Sequence, residues 1–215
     1  MIRALVFDLD GTLVESLPGI AEALNHALDK LGCPTHQLAD IRRFVGRGVT
    51  MLARQALPGE PTEARIGQLA DAFRAEYART WPGGTHLLPG VLETLATLQS
   101  AGLPLAVWSN KPDEFTREMV ARLFPATRFE IVLGLREGVP RKPDPAAARE
   151  IAAVLGHPDH GIALVGDSLT DLESARNAGW QAVAVGSGYE DPALLRAAKP
   201  DHWLDHISEL PALCG

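Results

Sequence analysis

The chain repeats a short, continuous apolar run that ends in a polar turn, and helical periodicity fills most of the intervals between runs. Continuous runs, unlike alternating ones, are typical of strands that are covered on both faces. Strands that alternate with helices predict an α/β fold with a mostly parallel sheet, like that of Rossmann-type three-layer domains. The runs are Ala4–Phe7, Leu105–Trp108, Ile131–Leu133, Ile162–Val165, Ala182–Val185 and a weaker one at His202–Leu204.

Helices are predicted between these runs from apolar residues spaced three and four apart. Glycines stand where three of the four helices should end, which is typical of helix C-termini. The predicted helices are 91–101, 115–123, 145–155 and 172–178, followed at three of them by Gly102, Gly156 and Gly179.

Residues 16–82 interrupt this alternation with helical patterns alone. Apolar spacing predicts helices over 20–31, 49–56 and 66–77, with no strand-like run between them. We therefore expect residues 1–15 and 83–215 to form the α/β core and residues 16–82 to form an inserted helical cap domain. The predicted linkers lie near 15–18 and 81–84.

Composition excludes several classes of function. With 215 residues and a formal charge of -7, the chain is long enough for a sizeable core and unsuited to nucleic acid, which needs clustered Lys and Arg. Only Cys33 and Cys214 are present, so we expect free thiols rather than a disulfide. No signal sequence or membrane-length apolar stretch is found, and a cytoplasmic location away from membranes is the expectation.

The first polar turn carries Asp8, Asp10 and Gly11 at the end of the first predicted strand. Two carboxylates two residues apart can face one pocket where a strand ends. One can attack phosphorus and the other can act as general acid and base. The alternative is a solvated acidic turn.

Two further turns carry polar groups suited to phosphate. Ser109 and Asn110 end the second long run, where a hydroxyl and backbone N–H groups can cradle an anion. Lys142 precedes a predicted helix and would be a point charge on the phosphate and on the attacking carboxylate. The alternatives are an ordinary helix cap and a surface loop.

The fourth turn carries Asp167 and Asp171 after Ile162–Val165. Carboxylates at a strand-to-helix turn offer the hard oxygen ligands that Mg²⁺ prefers. The alternative is that one caps the helix and the other complements its dipole, which explains one acid better than two.

Together, the four motifs resemble those of the haloacid dehalogenase superfamily of phosphatases, and the helical insertion resembles the cap of its phosphoglycolate phosphatase-like branch. The resemblance extends over essentially the whole chain and includes Phe44–Gly48 in the cap. It implies a Rossmann-like core and hydrolysis of a small phosphorylated metabolite by a monomer or homodimer.

Site roles follow from the resemblance. Asp8 is implied to be the nucleophile and Asp10 the acid/base. Mg²⁺ would be held by the carboxylates of Asp8 and Asp167 and the backbone carbonyl of Asp10, with Asp171 supporting the metal. The phosphoryl oxygens would be held by Thr12, Ser109, Asn110 and Lys142.

The cap should decide which metabolite is used. Arg47 lies in a Gly-Arg-Gly turn and could pair with a substrate carboxylate, as 2-phosphoglycolate would require. An exposed Arg without this role is the alternative, and Arg43, Lys111 and His86 are further candidates. Glu15 stands where many relatives carry Asp, so substrate contacts or cap closure could differ.

Three rival functions share parts of this pattern. A phosphomutase of the β-phosphoglucomutase type uses the same aspartates but keeps its phosphoenzyme from water. A dehalogenase needs no metal, which leaves the acids Asp10, Asp167 and Asp171 unexplained. A phospho-receiver module also combines acids, a hydroxyl and a Lys, but it has no need of a cap.

Overall fold

The structure is a computed structural model and describes residues 1–214. Its strands are β1 (Ala4–Phe7), β2 (Val14–Glu15), β3 (His86–Leu87), β4 (Leu105–Pro112), β5 (Ile131–Leu135), β6 (Ile162–Gly166), β7 (Gln181–Val185) and β8 (His202–Leu204). Its α-helices are α1 (Leu17–Lys30), α2 (Leu38–Phe44), α3 (Val49–Ala56), α4 (Glu63–Gly84), α5 (Val91–Ser100), α6 (Asp113–Leu123), α7 (Ala146–Leu155), α8 (Leu169–Ala178) and α9 (Pro192–Ala197).

Six strands form one parallel sheet in the order β5-β4-β1-β6-β7-β8, flanked by helices. The predicted α/β Rossmann-like class is therefore confirmed, and all six apolar runs are strands of this sheet. Strand β1 lies between β4 and β6, with Phe7 opposite both Val107 and Val165. The polar turns after these three strands consequently meet at one edge of the sheet, where α/β proteins bind ligands.

Apolar residues from the strands and from α7 and α8 form a buried cluster on one face of the sheet. Val6 and Leu164 pack there with Ile151 and Ala175, each at most 1% exposed. The edge-to-face rings of Trp108 and Trp180, 5.9 Å apart, belong to the same cluster. This packing fixes the strand ends that carry the polar turns.

The chain falls into two compact units, one formed by Met1–Val14 together with the chain from Leu87 onward, the other by Glu15–His86. The second unit contains α1 to α4, including α2, which was not predicted. Strands β2 and β3 pair as a small separate sheet, and each contains a position at which the chain passes from one unit to the other. None of the helices within residues 1–214 combines the length and apolarity needed to span a membrane.

Residues 81–84, near which a linker was predicted, are helical, because α4 continues to Gly84 with Pro82 inside it, and the boundary between the units follows at His86. Gly84 allows α4 to pack closely against α1. A Cβ on Gly84 would lie 2.4 Å from the Cα of Gly19, so α1 and α4 approach each other more closely than a side chain allows.

Candidate active site

Three buried carboxylates meet at the edge of the large sheet. Asp8 directly follows β1, and its backbone N–H donates to Val165 O at 2.9 Å, which sets it beside the turn after β6. Asp167 and Asp171 lie in and after that turn. One oxygen from each of the three carboxylates lies within 4.8 Å of the others. The structure therefore brings together Asp8 of the first motif and the two acids of the fourth. Asp10, which was expected beside Asp8 and Asp167, is not a member of this group.

Lys142 is buried among these acids. Its Nζ donates to Asp8 Oδ1 at 2.7 Å, to Asp171 Oδ1 at 2.6 Å and to Trp108 O at 2.9 Å. All three ammonium protons thus have acceptors, and the side chain is only 2% exposed. The lysine acts as a fixed positive charge against the predicted nucleophile.

The side chain of Asn110 holds the backbone of Lys142. Its Oδ1 accepts from Lys142 N at 2.8 Å, and its Nδ2 donates to Lys142 O at 3.2 Å. This paired arrangement resembles one rung of a β-ladder and fixes the position of the lysine. The predicted contact of Asn110 with phosphate would therefore fall to its backbone rather than to its amide group.

The electrostatics of the cluster favour a cation. The pKa of Asp8 is raised to about 7, mainly by burial and further by the charge of Asp171, and Lys142 offsets only part of this rise. Burial and the charges of Asp8 and Asp171 also raise the pKa of Asp167. Burial lowers the pKa of Lys142, but Asp171 and Asp8 more than offset this and hold it above its ordinary value.

Asp167 is held in place by two other parts of the chain, at residues 11–12 and 188–189. Thr12 Oγ1 donates to its Oδ1 at 2.9 Å, and the backbone N–H of Tyr189 donates to its Oδ2 at 2.7 Å. The chain also passes so close that a Cβ on Gly188 would lie 2.1 Å from Asp167 Cβ. A Cβ on Gly11, whose φ is +85°, would likewise lie 2.3 Å from Asp167 Oδ2.

Both carboxylate oxygens of Asp171 accept hydrogen bonds from the protein. Its Oδ2 accepts from the backbone N–H of Ser168 at 3.1 Å and from the Ser168 hydroxyl at 2.6 Å, which caps α8. Its Oδ1 accepts from Lys142. Asp171 therefore caps the helix, as the structural alternative for the fourth motif requires, and it also faces the acidic cluster.

The residues present fit a hard divalent cation. The donor set consists of buried carboxylate oxygens, and Lys142 alone does not cancel the charge of three acids. Asp8 and Asp167 carry the raised pKa values, and Asp171 is already bonded to Lys142 and Ser168. Asp8 and Asp167 are therefore the two carboxylates of this set that could best hold a cation.

Asp10 is paired with a second lysine. Lys111 Nζ donates to both carboxylate oxygens of Asp10 at 2.8 Å. Ser109 lies on the same strand, and its hydroxyl accepts from Lys111 N at 3.2 Å, which leaves its own proton available to a ligand. The Lys111–Asp10 pair was not predicted. The available signal was that Lys111 directly follows Ser109 and Asn110, and that side chains two residues apart on a strand, such as those of Ser109 and Lys111, point to the same face of the sheet.

One predicted contact differs from expectation, and another contact was not predicted. The hydroxyl of Thr12, which was expected to hold a phosphoryl oxygen, donates to Asp167. The N–H of Tyr189 was missed, and the only available signal was the Gly-Ser-Gly sequence at 186–188 after β7.

The two main predicted specificity residues, Glu15 and Arg47, lie in the helical unit. Glu15 Oε1 accepts from the backbone N–H of Leu17 at 2.8 Å, so it caps α1 in place of Ser16, whose side chain makes no cap bond. Arg47 is exposed in the turn between α2 and α3, flanked by Gly46 and Gly48 with positive φ.

The fold and the acidic sheet edge define a family of hydrolases. Residues 5–185 match the haloacid dehalogenase-like hydrolase family, and the chain belongs to it. A phosphoglycolate phosphatase from Pectobacterium atrosepticum is 34% identical over 217 residues, a span of 100% of this chain and 93% of that protein.

Solved structures agree with this assignment. A crystal structure described as a predicted phosphoglycolate phosphatase from Haemophilus somnus superposes with a TM-score of 0.91 and 29% identity, covering 100% of this chain and 98% of that one. CbbY from Rhodobacter sphaeroides, solved in complex with phosphate, gives a TM-score of 0.79 and 25% identity, covering 98% and 96%.

Proposed function

We propose that this hydrolase removes the phosphoryl group from a small phosphomonoester through a covalent intermediate on Asp8. One observation carries the proposal: a buried carboxylate at the end of the central strand contacts a buried lysine at 2.7 Å and faces two more acids. A carboxylate held in this way, with positive charge behind it, suits in-line attack on phosphorus. Relatives named phosphoglycolate phosphatase support the same reaction class.

In the first step, a carboxylate oxygen of Asp8 forms a bond to phosphorus while the ester P–O bond breaks. The departing oxygen takes a proton from Asp10. In the second step, water attacks the phosphorus of the aspartyl phosphate and gives its proton to Asp10. The Asp8 carboxylate leaves with its electron pair, so inorganic phosphate and the original enzyme are restored. Lys142 stays charged throughout and neutralises the phosphoryl oxygens.

We propose Mg²⁺ as the cofactor, held by the carboxylates of Asp8 and Asp167 and the backbone carbonyl of Asp10. When bound, Mg²⁺ would neutralise the acids and the developing charge on the phosphoryl oxygens. Asp171 would act by fixing Lys142 and the start of α8. The hydroxyl of Ser109 and the backbone N–H groups beside it would receive the remaining phosphoryl oxygens.

We propose 2-phosphoglycolate as the substrate and the helical unit as the cap that selects it. The exposed guanidinium of Arg47 can bind a carboxylate through two parallel hydrogen bonds. The names of the relatives point to the same compound. The hydrogen bond from Leu17 N to Glu15 Oε1, which caps the N-terminus of α1, supports a structural role for Glu15. Glu15 lies beside one of the two connections between the units.

The test is release of inorganic phosphate from a panel of phosphomonoesters, with Mg²⁺ or with EDTA. Wild type should turn over with Mg²⁺ only, with phosphoglycolate among the best substrates, and Asp8→Asn should be inactive. Asp144→Asn is the matched control, because Asp144 is an exposed aspartate whose Oδ1 accepts from Ala146 N at 2.9 Å.

Other outcomes separate the parts of the proposal. Activity on another ester, with phosphoglycolate slow, would refute the substrate and keep the phosphatase. Interconversion of sugar phosphates without net phosphate release would indicate a phosphomutase. A fully active Asp8→Asn variant would refute the mechanism.

A further inference from the structure

Lys111 is a buried lysine whose ammonium group contacts the carboxylate of Asp10. Its side chain is 4% exposed, and its Nζ lies 2.8 Å from both Oδ atoms of Asp10. Lysine is seldom buried to this extent without a specific partner. Lys142 serves Asp8 and Asp171, so each aspartate of the first motif has a lysine of its own.

The backbone around Lys111 is fixed, which distinguishes this residue from a mobile surface lysine. Lys111 N donates to Ser109 Oγ at 3.2 Å, and Thr116 Oγ1 donates to Lys111 O at 3.2 Å and to Pro112 O at 3.1 Å. Thr116 is held in turn against β5, where a Cβ on Gly134 would lie 2.6 Å from Thr116 Oγ1.

We propose that Lys111 is a positioning residue that fixes the orientation of the Asp10 carboxylate for both of its proton transfers. The inference rests on the proposed function and adds a residue to it. An aspartate has two rotatable side-chain bonds, and its oxygens must point at the leaving oxygen in one step and at water in the next. Contact of one buried ammonium with both oxygens, on a lysine whose backbone is fixed, restricts that freedom before substrate arrives.

This role has a signature that depends on the leaving group. An alkyl alcohol needs a proton from Asp10 as it departs, whereas p-nitrophenolate is weakly basic and departs without one. Transfer of the phosphoryl group from p-nitrophenyl phosphate to Asp8 therefore bypasses Asp10. Hydrolysis of the aspartyl phosphate always needs Asp10, whichever ester supplied the phosphoryl group.

The experiment is stopped-flow release of p-nitrophenolate by the full chain with Mg²⁺, together with steady-state rates on an alkyl phosphate. Lys111→Met should keep the burst rate and lower the later steady rate about 10- to 100-fold. On the alkyl ester, kcat should fall by a similar factor with little change in KM. Lys111→Arg, which keeps a bidentate cation, should recover part of the loss.

The matched control is Lys30→Met, which removes a lysine that contacts the largely buried carboxylate of Glu76 in the helical unit. It should leave both phases unchanged. If Lys111→Met does not fold, Lys111→Gln serves in its place, and the same split between burst and steady rate is expected.

The proposal is overturned if the Lys111 variant behaves like Lys30→Met, if it raises KM alone, or if it slows the burst as much as the steady rate. In each of these cases wild type still turns over, so the proposed function survives. If folded wild type releases no p-nitrophenolate or phosphate from any ester, the proposed function fails and this inference fails with it.

Discussion

Replacement of Asp8 by Asn should stabilise the metal-free protein while it abolishes activity. Asn keeps the size of the side chain and can still accept from Lys142, but it removes one negative charge from a buried cluster of three carboxylates. Burial raises the pKa of Asp8 from 3.8 to about 7, so its ionised form is disfavoured in the folded state. With each pKa unit worth about 1.4 kcal/mol, ionised Asp8 costs on the order of 4 kcal/mol at pH 8.

The sign of the pH dependence follows from linkage. The folded-state pKa of Asp8 lies above its unfolded value, so ionisation of Asp8 lowers the free energy of unfolding. This loss of stability is absent below about pH 4, grows between about pH 4 and pH 7, and is constant above about pH 7. The advantage of Asp8→Asn in free energy of unfolding should therefore be near zero at pH 4 and largest at pH 8. Mg²⁺ should stabilise wild type more than the variant.

The assay is urea unfolding in EDTA at several pH values, with Asp144→Asn as the control for an exposed aspartate. An Asp8→Asn variant that is less stable than wild type at pH 8, or whose advantage is the same at every pH, would refute the reasoning. Equal effects of Asp8→Asn and Asp144→Asn would do so as well.

Three further outcomes are expected. Lys142→Met should abolish turnover and cost about 3–5 kcal/mol in urea unfolding, because it strands two buried carboxylates; a loss below about 1 kcal/mol would contradict this. The apparent affinity for Mg²⁺, measured by calorimetry, should fall by up to about tenfold for each pH unit below pH 7 as protons compete for Asp8, and a flat profile would contradict it. Gly188→Ala should destabilise the protein and weaken Mg²⁺ binding, since the added Cβ would lie 2.1 Å from Asp167 Cβ. The control is Gly67→Ala on α4, where the added Cβ meets open space. It should be neutral or stabilising by about 0.5–1 kcal/mol in urea unfolding.

Most of the sheet could be predicted because its strands are buried on both faces. Continuous apolar runs such as Ala4–Phe7 and Ile162–Val165 leave few alternatives to a parallel strand. Helix α2 was missed because Ile41 is its only buried residue, so its sequence shows no apolar stripe. The helical conformation of residues 81–84 was not evident, because a glycine in a sequence does not reveal whether it serves a turn or a close helix contact.

The site was predictable to the level of which strand ends meet. The resemblance implied that Asp8, Asp10 and Asp167 lie together, because carboxyl ends of neighbouring parallel strands share an edge. The structure groups Asp8 and Asp167 with Asp171, and it pairs Asp10 with Lys111. The partners of individual atoms were not predictable in this way. Whether Lys111 contacts Asp10, or Asn110 pairs with the backbone of Lys142, depends on rotamers and on distances near 3 Å that motif spacing does not specify.

The central claim is that Asp8 itself carries the phosphoryl group during turnover. The most direct measurement is mass spectrometry of acid-quenched, proteolysed enzyme during turnover with Mg²⁺, using Asp10→Asn to slow hydrolysis of the intermediate. The account predicts a phosphoryl adduct on the peptide that contains Asp8 and on no other. Continued turnover with no adduct, or an adduct on another residue, would contradict it.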